Sequence, residues 1–278
     1  MSNLIQSAFF SRPRIMAVLN VTPDSFFDGG RLYGSSASGL DLDAVLMKVE
    51  ALLEDGADII DVGGESTRPG AAPVSEEEEH ERVLPVVRAI VERFSVPVSV
   101  DTSTASVMAA AAQEGAALIN DVRALQRPGA MAAAVESALP VCLMHMQGQP
   151  SSMQEAPVYE DVVSEVLAWF DKRIELCVNQ GLKKQNIILD PGIGFGKLDE
   201  HNLALLKATD QFVAKGHPVL IGVSRKSLLG RLLGRELDQR LAGSLALAYD
   251  ALSRGATILR VHDVAETADI RAIYEFLR

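Results

Sequence analysis

The chain has 278 residues, of which 48% are hydrophobic and only 5% aromatic, and it carries a formal net charge of -11. Length and apolar content suit one large α/β core filled by Ala, Val, Leu and Ile, and the acidic balance excludes nucleic acid as the main partner, since phosphate neutralisation needs a basic face. The N-terminal MSNLIQSAFFSRPR holds no sustained apolar stretch and no run of membrane-spanning length follows, so a chain neither exported nor membrane-bound is expected.

Taken in order, the chain alternates short β-rich runs with helical spacing. A first strand is predicted over residues 15–21, followed by the long segment Asn20-Val21-Thr22-Pro23-Asp24-Ser25-Phe26-Phe27-Asp28-Gly29-Gly30, and then a helix over 42–54 closed by Gly56. The second strand, 58–62, leads into a glycine- and proline-rich loop, 63–73. A helix over 75–94 opens on a capping box, Ser75 with Glu78 three residues on, and contains Pro85, which should kink it. Its acidic run, 76–79, reads as a solvated first turn favoured by the helix dipole.

Strand 96–101 and helix 105–114 follow, then strand 117–121, helix 130–137 and strand 140–146. Cys142 in that last strand reads as packing. With Cys177 it forms no pairing framework, which points to a reduced, cytoplasmic setting. A helix over 159–180, strand 186–190, helix 202–215 and strand 218–223 come next. The stretch 227–254 is long for one helix and breaks near 234–238, so an extra helix is expected before the last strand, 257–261, and the last helix, 265–277. Gly115, Gly181, Gly216 and Gly255 each close a helix just before a strand.

Eight strand–helix units imply parallel pairing with right-handed crossovers and favour closure into a single (β/α)8 TIM barrel over residues 1–278, with mobile loops after strands one and two. The competing architecture is an open doubly wound sheet, but no G-x-G-x-x-G follows the first strand. The loops before strands are plain glycine turns. The strand exits instead carry Asn20, the 63–70 segment, Asp101, Asn120-Asp121, His145, Asp190-Pro191-Gly192, 224–227 and Arg260-Val261-His262. A ring of polar residues at that end of a barrel implies a polar ligand.

Simpler roles compete for several of these residues. Asp101, Asn120 or Asp121 would each serve as a helix cap, and His145 between Met144 and Met146 reads as a packed histidine. Arg225 and Lys226 at a helix start oppose the macrodipole, which suggests an anion or a polar ring nearby. Arg260 and His262 alternate along the last strand, so their side chains share a face.

The segments NVTPDSF at 20–26, DVGGESTRPG at 61–70, VDT at 100–102, IND at 119–121, LMHM at 143–146, LDPGIGFGK at 189–197, SRKS at 224–227 and RVHD at 260–263 closely resemble those of the dihydropteroate synthase family, in family order. Phe27 departs from the pattern, where many members have a small polar residue. The resemblance implies condensation of 6-hydroxymethyl-7,8-dihydropterin diphosphate with p-aminobenzoate, diphosphate leaving before amine attack, as a step of folate synthesis. It implies pterin binding by Asp101, Asn120, Met144, Asp190 and Lys226, and diphosphate binding by Asn20, Thr67, Arg68, Arg260 and His262. Phe26, Thr67, Arg68, Pro69, Phe195, Lys226 and Ser227 would form the p-aminobenzoate pocket, where sulfonamides should compete. Asp101, Lys226, Arg260 and His262 would be catalytic, with Asn20 as ligand to Mg²⁺, and a homodimer is expected. Two other readings stand beside this one: a catalytically silent pterin-binding homologue, and a methyltetrahydrofolate-binding barrel of the methyltransferase type, which needs no diphosphate site.

Overall fold

The computed structural model describes residues 9–22, 40–66, 74–148, 153 and 157–278. All eight expected strands form: β1 (Arg14–Asn20), β2 (Ile59–Gly63), β3 (Val98–Asp101), β4 (Leu118–Asp121), β5 (Val141–Met144), β6 (Ile187–Asp190), β7 (Leu220–Ile221) and β8 (Ile258–Val261). They make one parallel sheet in the order β6-β5-β4-β3-β2-β1-β8-β7. Its two edges meet through the bridge Leu189–Val219, where Leu189 N–H donates to Pro218 C=O at 2.9 Å, and the sheet closes as a (β/α)8 barrel.

The helices are α1 (Leu42–Glu54), α2 (Glu76–Arg93), α3 (Ala105–Gln113), α4 (Ala130–Ser137), α5 (Val162–Asn179), α6 (Asp199–Lys207), α7 (Thr209–Val213), α8 (Ser227–Leu233), α9 (Leu241–Ser253) and α10 (Val264–Phe276). The break expected near 234–238 falls between α8 and α9, at Gly234 in the left-handed region. The segment read as one helix over 202–215 is instead two, α6 and α7, because Ala208 leaves helical geometry and Thr209 turns its hydroxyl back onto Leu206 C=O at 2.8 Å. α2 runs as one element through Pro85. Half of the capping box forms: Ser75 Oγ accepts from Glu78 N–H at 3.2 Å, while the Glu78 carboxylate pairs with Arg82. The acidic run is not all solvated. Glu79 is 2% exposed and accepts from Thr104 Oγ1 at 2.6 Å, which ties α2 to the start of α3.

Left-handed glycines end the helices as the spacing indicates. At Gly56 (φ +101°) the glycine N–H bonds Leu53 C=O at 3.1 Å and Ala57 N–H bonds Leu52 C=O at 3.0 Å. This is a Schellman ending, and the same pair of bonds recurs at Gly115, Gly181 and Gly255. Gly56, Gly115 and Gly255 turn the chain into the next strand within three residues, whereas after Gly181 a 3-10 turn, Lys184–Asn186, precedes β6.

Side-chain alternation then divides the barrel into two cores. Ile15, Ala17, Leu19, Ile60, Val62, Val98, Val100, Ile119, Val141, Leu143, Ile187, Leu189, Ile221, Leu259 and Val261 point outward and pack under the helices. Met16, Ile59, Leu118, Cys142, Ile188, Leu220 and Ile258 point inward and fill the bottom of the barrel, with Phe9 and Phe10 packed against them. Two residues further along each strand the same inward face comes to the upper mouth.

Candidate active site

Alternation carried upward from the apolar plug puts Asp61, Asp101, Asn120, Met144, Asp190 and Arg260 on the inward face. Register aligns them: Asn20, Gly63, Asp101 and Asn120 are successive partners across β1 to β4, and Met144 pairs with Asp190. Gly63 lies between Asn20 and Asp101: a Cβ there would stand 3.5 Å from both Asn20 Oδ1 and Asp101 Cβ, in ordinary contact with each.

The centre of this surface is a charged hydrogen-bond network. Arg260 Nε donates to Asp61 Oδ2 at 2.6 Å and Arg260 Nη2 to Asp101 Oδ2 at 2.8 Å. Asn120 Nδ2 donates to the same Asp61 oxygen at 3.2 Å. Asp61 is fully buried. Burial pushes the Asp101 carboxyl up to about 7, against the opposing pull of Arg260 and with repulsion from Asp61 adding to the rise. Burial works against the Arg260 charge, but the two carboxylates outweigh it and hold the guanidinium above its usual range. Arg260 is therefore not an isolated cation awaiting an anion: two of its five N–H donors already go to carboxylates.

Asp190 closes the other side. Its Oδ1 accepts from Gly192 N–H at 2.7 Å, and burial raises its pKa while that hydrogen bond and the charge of Lys226 pull it down. Lys226 Nζ donates to Ile193 C=O at 2.6 Å and lies 4.3 Å above the Phe195 ring. Burial lowers it to about 8, with Asp190 opposing. The tension expected from two cations at a helix start is relieved by direction: Arg225 forms a bidentate pair with Asp263, at 2.8 Å for Nε, while Lys226 turns across the barrel mouth. Ser227 is the exposed first residue of α8. His262 Nδ1 lies 3.1 Å from Ser224 Oγ, which also accepts the His262 N–H at 3.2 Å. A Ser224 hydroxyl that donates to Nδ1 leaves the ring proton on Nε2 as a donor.

Several simpler roles are now decided. α3 is capped at Thr104, not Asp101. Asp121 points outward, accepting from Ser103 Oγ and from the N–H groups of Arg123 (2.8 Å) and Leu125 (2.6 Å), so it folds the loop before α4. His145 is a packed histidine, edge-on to Trp169 at 4.9 Å between ring centres. Its Nδ1 also lies 3.0 Å from Lys197 Nζ. Phe26, Thr67, Arg68 and Pro69, together with the parts over 23–39 and 67–73 of the two loops expected to be mobile, lie outside the described residues.

Two residues escaped the sequence reading of roles. Asp61 had a signal, a lone acid inside the apolar strand Ile-Ile-Asp-Val-Gly, in phase with inward Ile59. Lys197 had only a weak one, a cation ending a glycine-rich turn. Residues suited to a cation are few. Among the described residues no group of three or more His, Cys, Asp or Glu side chains is placed to hold a metal. Asn20 offers a neutral oxygen at the mouth, which fits a hard ion that takes its other ligands from water and substrate oxygens.

A family described as pterin binding enzyme matches residues 16–262. That places the barrel and its polar mouth in the class of pterin-binding enzymes. The chain is 53% identical to the dihydropteroate synthase of Haemophilus influenzae, over 95% of this chain and 94% of the relative. It is 52% identical to that of Escherichia coli K12, over 95% and 92%. Among solved structures it resembles the Yersinia pestis dihydropteroate synthase in complex with a sulfonamide drug, with TM-score 0.92 and 50% identity over 97% of this chain and 95% of that one. It also resembles the Xanthomonas albilineans synthase with 4-aminobenzoic acid, with TM-score 0.87 and 45% identity over 96% and 94%. The chain belongs to the dihydropteroate synthase family.

Proposed function

We propose that the chain condenses 6-hydroxymethyl-7,8-dihydropterin diphosphate with p-aminobenzoate, giving 7,8-dihydropteroate and diphosphate. The observation that carries this is the inward polar set Asp101, Asn120, Asp190 and Lys226 at one barrel mouth, in a chain so similar to synthases of that name. The pterin edge presents an exocyclic amine and a ring N–H. Asp190 accepts from them, and Asn120 both donates and accepts along the same edge. Each pterin polar group left unpaired in such a site would cost about 1–3 kcal/mol, which makes the set selective as well as tight. Lys226 donates to the ring carbonyl side and Met144 covers the ring face.

The diphosphate lies toward His262, Asn20 and Arg68. Arg260, largely neutralised by its carboxylates, orders the floor and presents its remaining N–H groups to the leaving oxygens. A Mg²⁺ held at Asn20 would add positive charge to the diphosphate. The methylene carbon–oxygen bond breaks first, and its electron pair departs with the diphosphate. Asp101 then faces the positive charge left on the dihydropterin. The neutral arylamine donates its lone pair to the methylene carbon and loses a proton afterwards, so no dedicated base is needed. Phe195, Lys226 and Ser227, with Phe26, Thr67, Arg68 and Pro69, form its pocket.

The decisive assay follows diphosphate release with and without p-aminobenzoate. Release coupled one-to-one to dihydropteroate is expected; pterin binding without diphosphate release would return the chain to the methyltransferase-type or silent-homologue readings. A second expectation concerns order. Calorimetric titration of p-aminobenzoate should show little affinity for the free protein and at least about tenfold more with pterin and diphosphate present, because the loops complete the pocket last. Equal affinity in the two titrations would mean a preformed pocket.

The setting follows from the same reading. Both cysteines are free and buried, and among the described residues no helix is long and apolar enough to cross a membrane. We place the enzyme in the cytoplasm as a homodimer, consistent with exposed Leu232, Leu233 and Leu237 beside the start of α9.

A further inference from the structure

The turn after β6, residues 192–197, is anchored more firmly than a connector requires. Gly192 (φ +69°) and Gly196 (φ +60°) press its backbone onto the segment after β5: a Cβ on Gly192 would fall 1.9 Å from His145 C=O, and one on Gly196 2.4 Å from Gln147 C=O. Lys197 then locks the turn from inside. The residue is 1% exposed, and its Nζ lies 3.1 Å from His145 C=O, 2.9 Å from Phe195 C=O and 3.0 Å from His145 Nδ1. Burial lowers the Lys197 pKa to about 7, and in the charged form its three donors meet three acceptors. Burial, together with the adjacent ammonium, lowers the His145 pKa to about 3, so the ring is neutral, and its Nδ1 accepts in the tautomer that carries the proton on Nε2. From the opposite side Tyr159 Oη donates to Gly196 C=O at 2.9 Å.

An ammonium in this position is costly, because a methionine would fill the space without desolvating a charge. What its three donors hold accounts for it. Phe195 has its carbonyl bound to Lys197 and its ring against Lys226 Nζ, while Lys226 bonds Ile193 C=O within the same turn. One lysine fixes the backbone, and the other faces the barrel mouth. Asp190, Asn120 and Met144, by contrast, sit on strands and are placed by the sheet ladder itself.

We propose that Lys197, braced by Tyr159, is a positioning residue for the arylamine half of the site: it ties Phe195 to the segment after β5 and so sets where the Phe195 ring meets Lys226. The inference rests on the synthase reading above, with Phe195 and Lys226 in the p-aminobenzoate pocket. It separates the two substrates by degree: Asp190, Asn120 and Met144 are placed by the strands, and the pterin end touches the turn only through Lys226 and the Gly192 N–H bond to Asp190, whereas Phe195 is held by the turn alone.

The test compares Lys197→Met and Tyr159→Phe with the wild-type chain. The KM for p-aminobenzoate should rise about tenfold or more in Lys197→Met and roughly threefold in Tyr159→Phe, with a smaller loss of pterin diphosphate affinity by calorimetry in each. Circular dichroism and a thermal melt establish folding, and Tyr159→Phe decides alone if Lys197→Met does not fold. An unchanged arylamine KM, or equal losses for both substrates, would overturn the proposal, the second by showing a merely structural role. A wild-type chain that makes no dihydropteroate would instead overturn the synthase reading. The positioning claim is then decided by p-aminobenzoate binding measured calorimetrically in the presence of pterin and diphosphate, where no selective loss in the variants would sink it.

Discussion

Asp190→Asn is expected to weaken binding of the pterin diphosphate by about 10²–10⁴-fold while leaving the fold in place, because roughly two hydrogen bonds of 1–3 kcal/mol each are lost. The side chain keeps its shape, and its remaining oxygen still accepts from Gly192 N–H, which holds the turn now at 2.7 Å. The other oxygen, however, becomes an amide donor. It then faces the donors of the pterin edge, and a polar mismatch in a buried site is worse than an absent contact. The substitution also removes the negative charge that counters burial at Lys226, so the Lys226 pKa should fall further. Calorimetry with the pterin diphosphate checks the first point, and a thermal melt within a few degrees of wild type checks the second. Unchanged pterin affinity in a folded variant would remove Asp190 from the pterin site.

Arg260→Met should act on both stability and activity. The guanidinium is the partner of two carboxylates, Asp61 with no exposed surface and Asp101 with 11% of its side chain exposed. Removing one side of a buried pair leaves uncompensated charge, at a cost of about 3–5 kcal/mol. The pH dependence has a definite sign. Asp101 already titrates near 7, above its usual value, so the folded state binds more protons than the unfolded one up to that pH and stability falls as pH rises through it. Without Arg260 the carboxyl moves higher still, and the fall extends to higher pH. The deficit against wild type should therefore be smaller at pH 5 than at pH 8, as read from denaturant melts at the two values. A deficit independent of pH would mean that lost packing, not unpaired charge, is the cause. Activity should drop together with stability at pH 8, because the same carboxylates shape the pterin floor.

The sequence by itself determined the repeat and therefore the barrel. Strands and helices alternate with left-handed glycines such as Gly56 and Gly115 between them, and these are local properties that survive without tertiary context. It also located the ligand end, since Asn20, Asp101, Asn120, Asp190 and His262 all stand at strand exits. What only the tertiary structure decided is which of these groups meet. Asp61 and Arg260 are joined by a hydrogen bond across 199 residues of chain, and Lys197 finds His145 across 52. Such pairings depend on barrel closure and strand register, which no local pattern encodes. Tertiary packing likewise split the helix expected over 202–215 and buried Glu79, whose acidic neighbours in sequence remain in water. The physical reason is the same in each case: residue types and periodicity set the face a side chain takes, whereas its charge partner is set by whichever strand or turn folding brings opposite it.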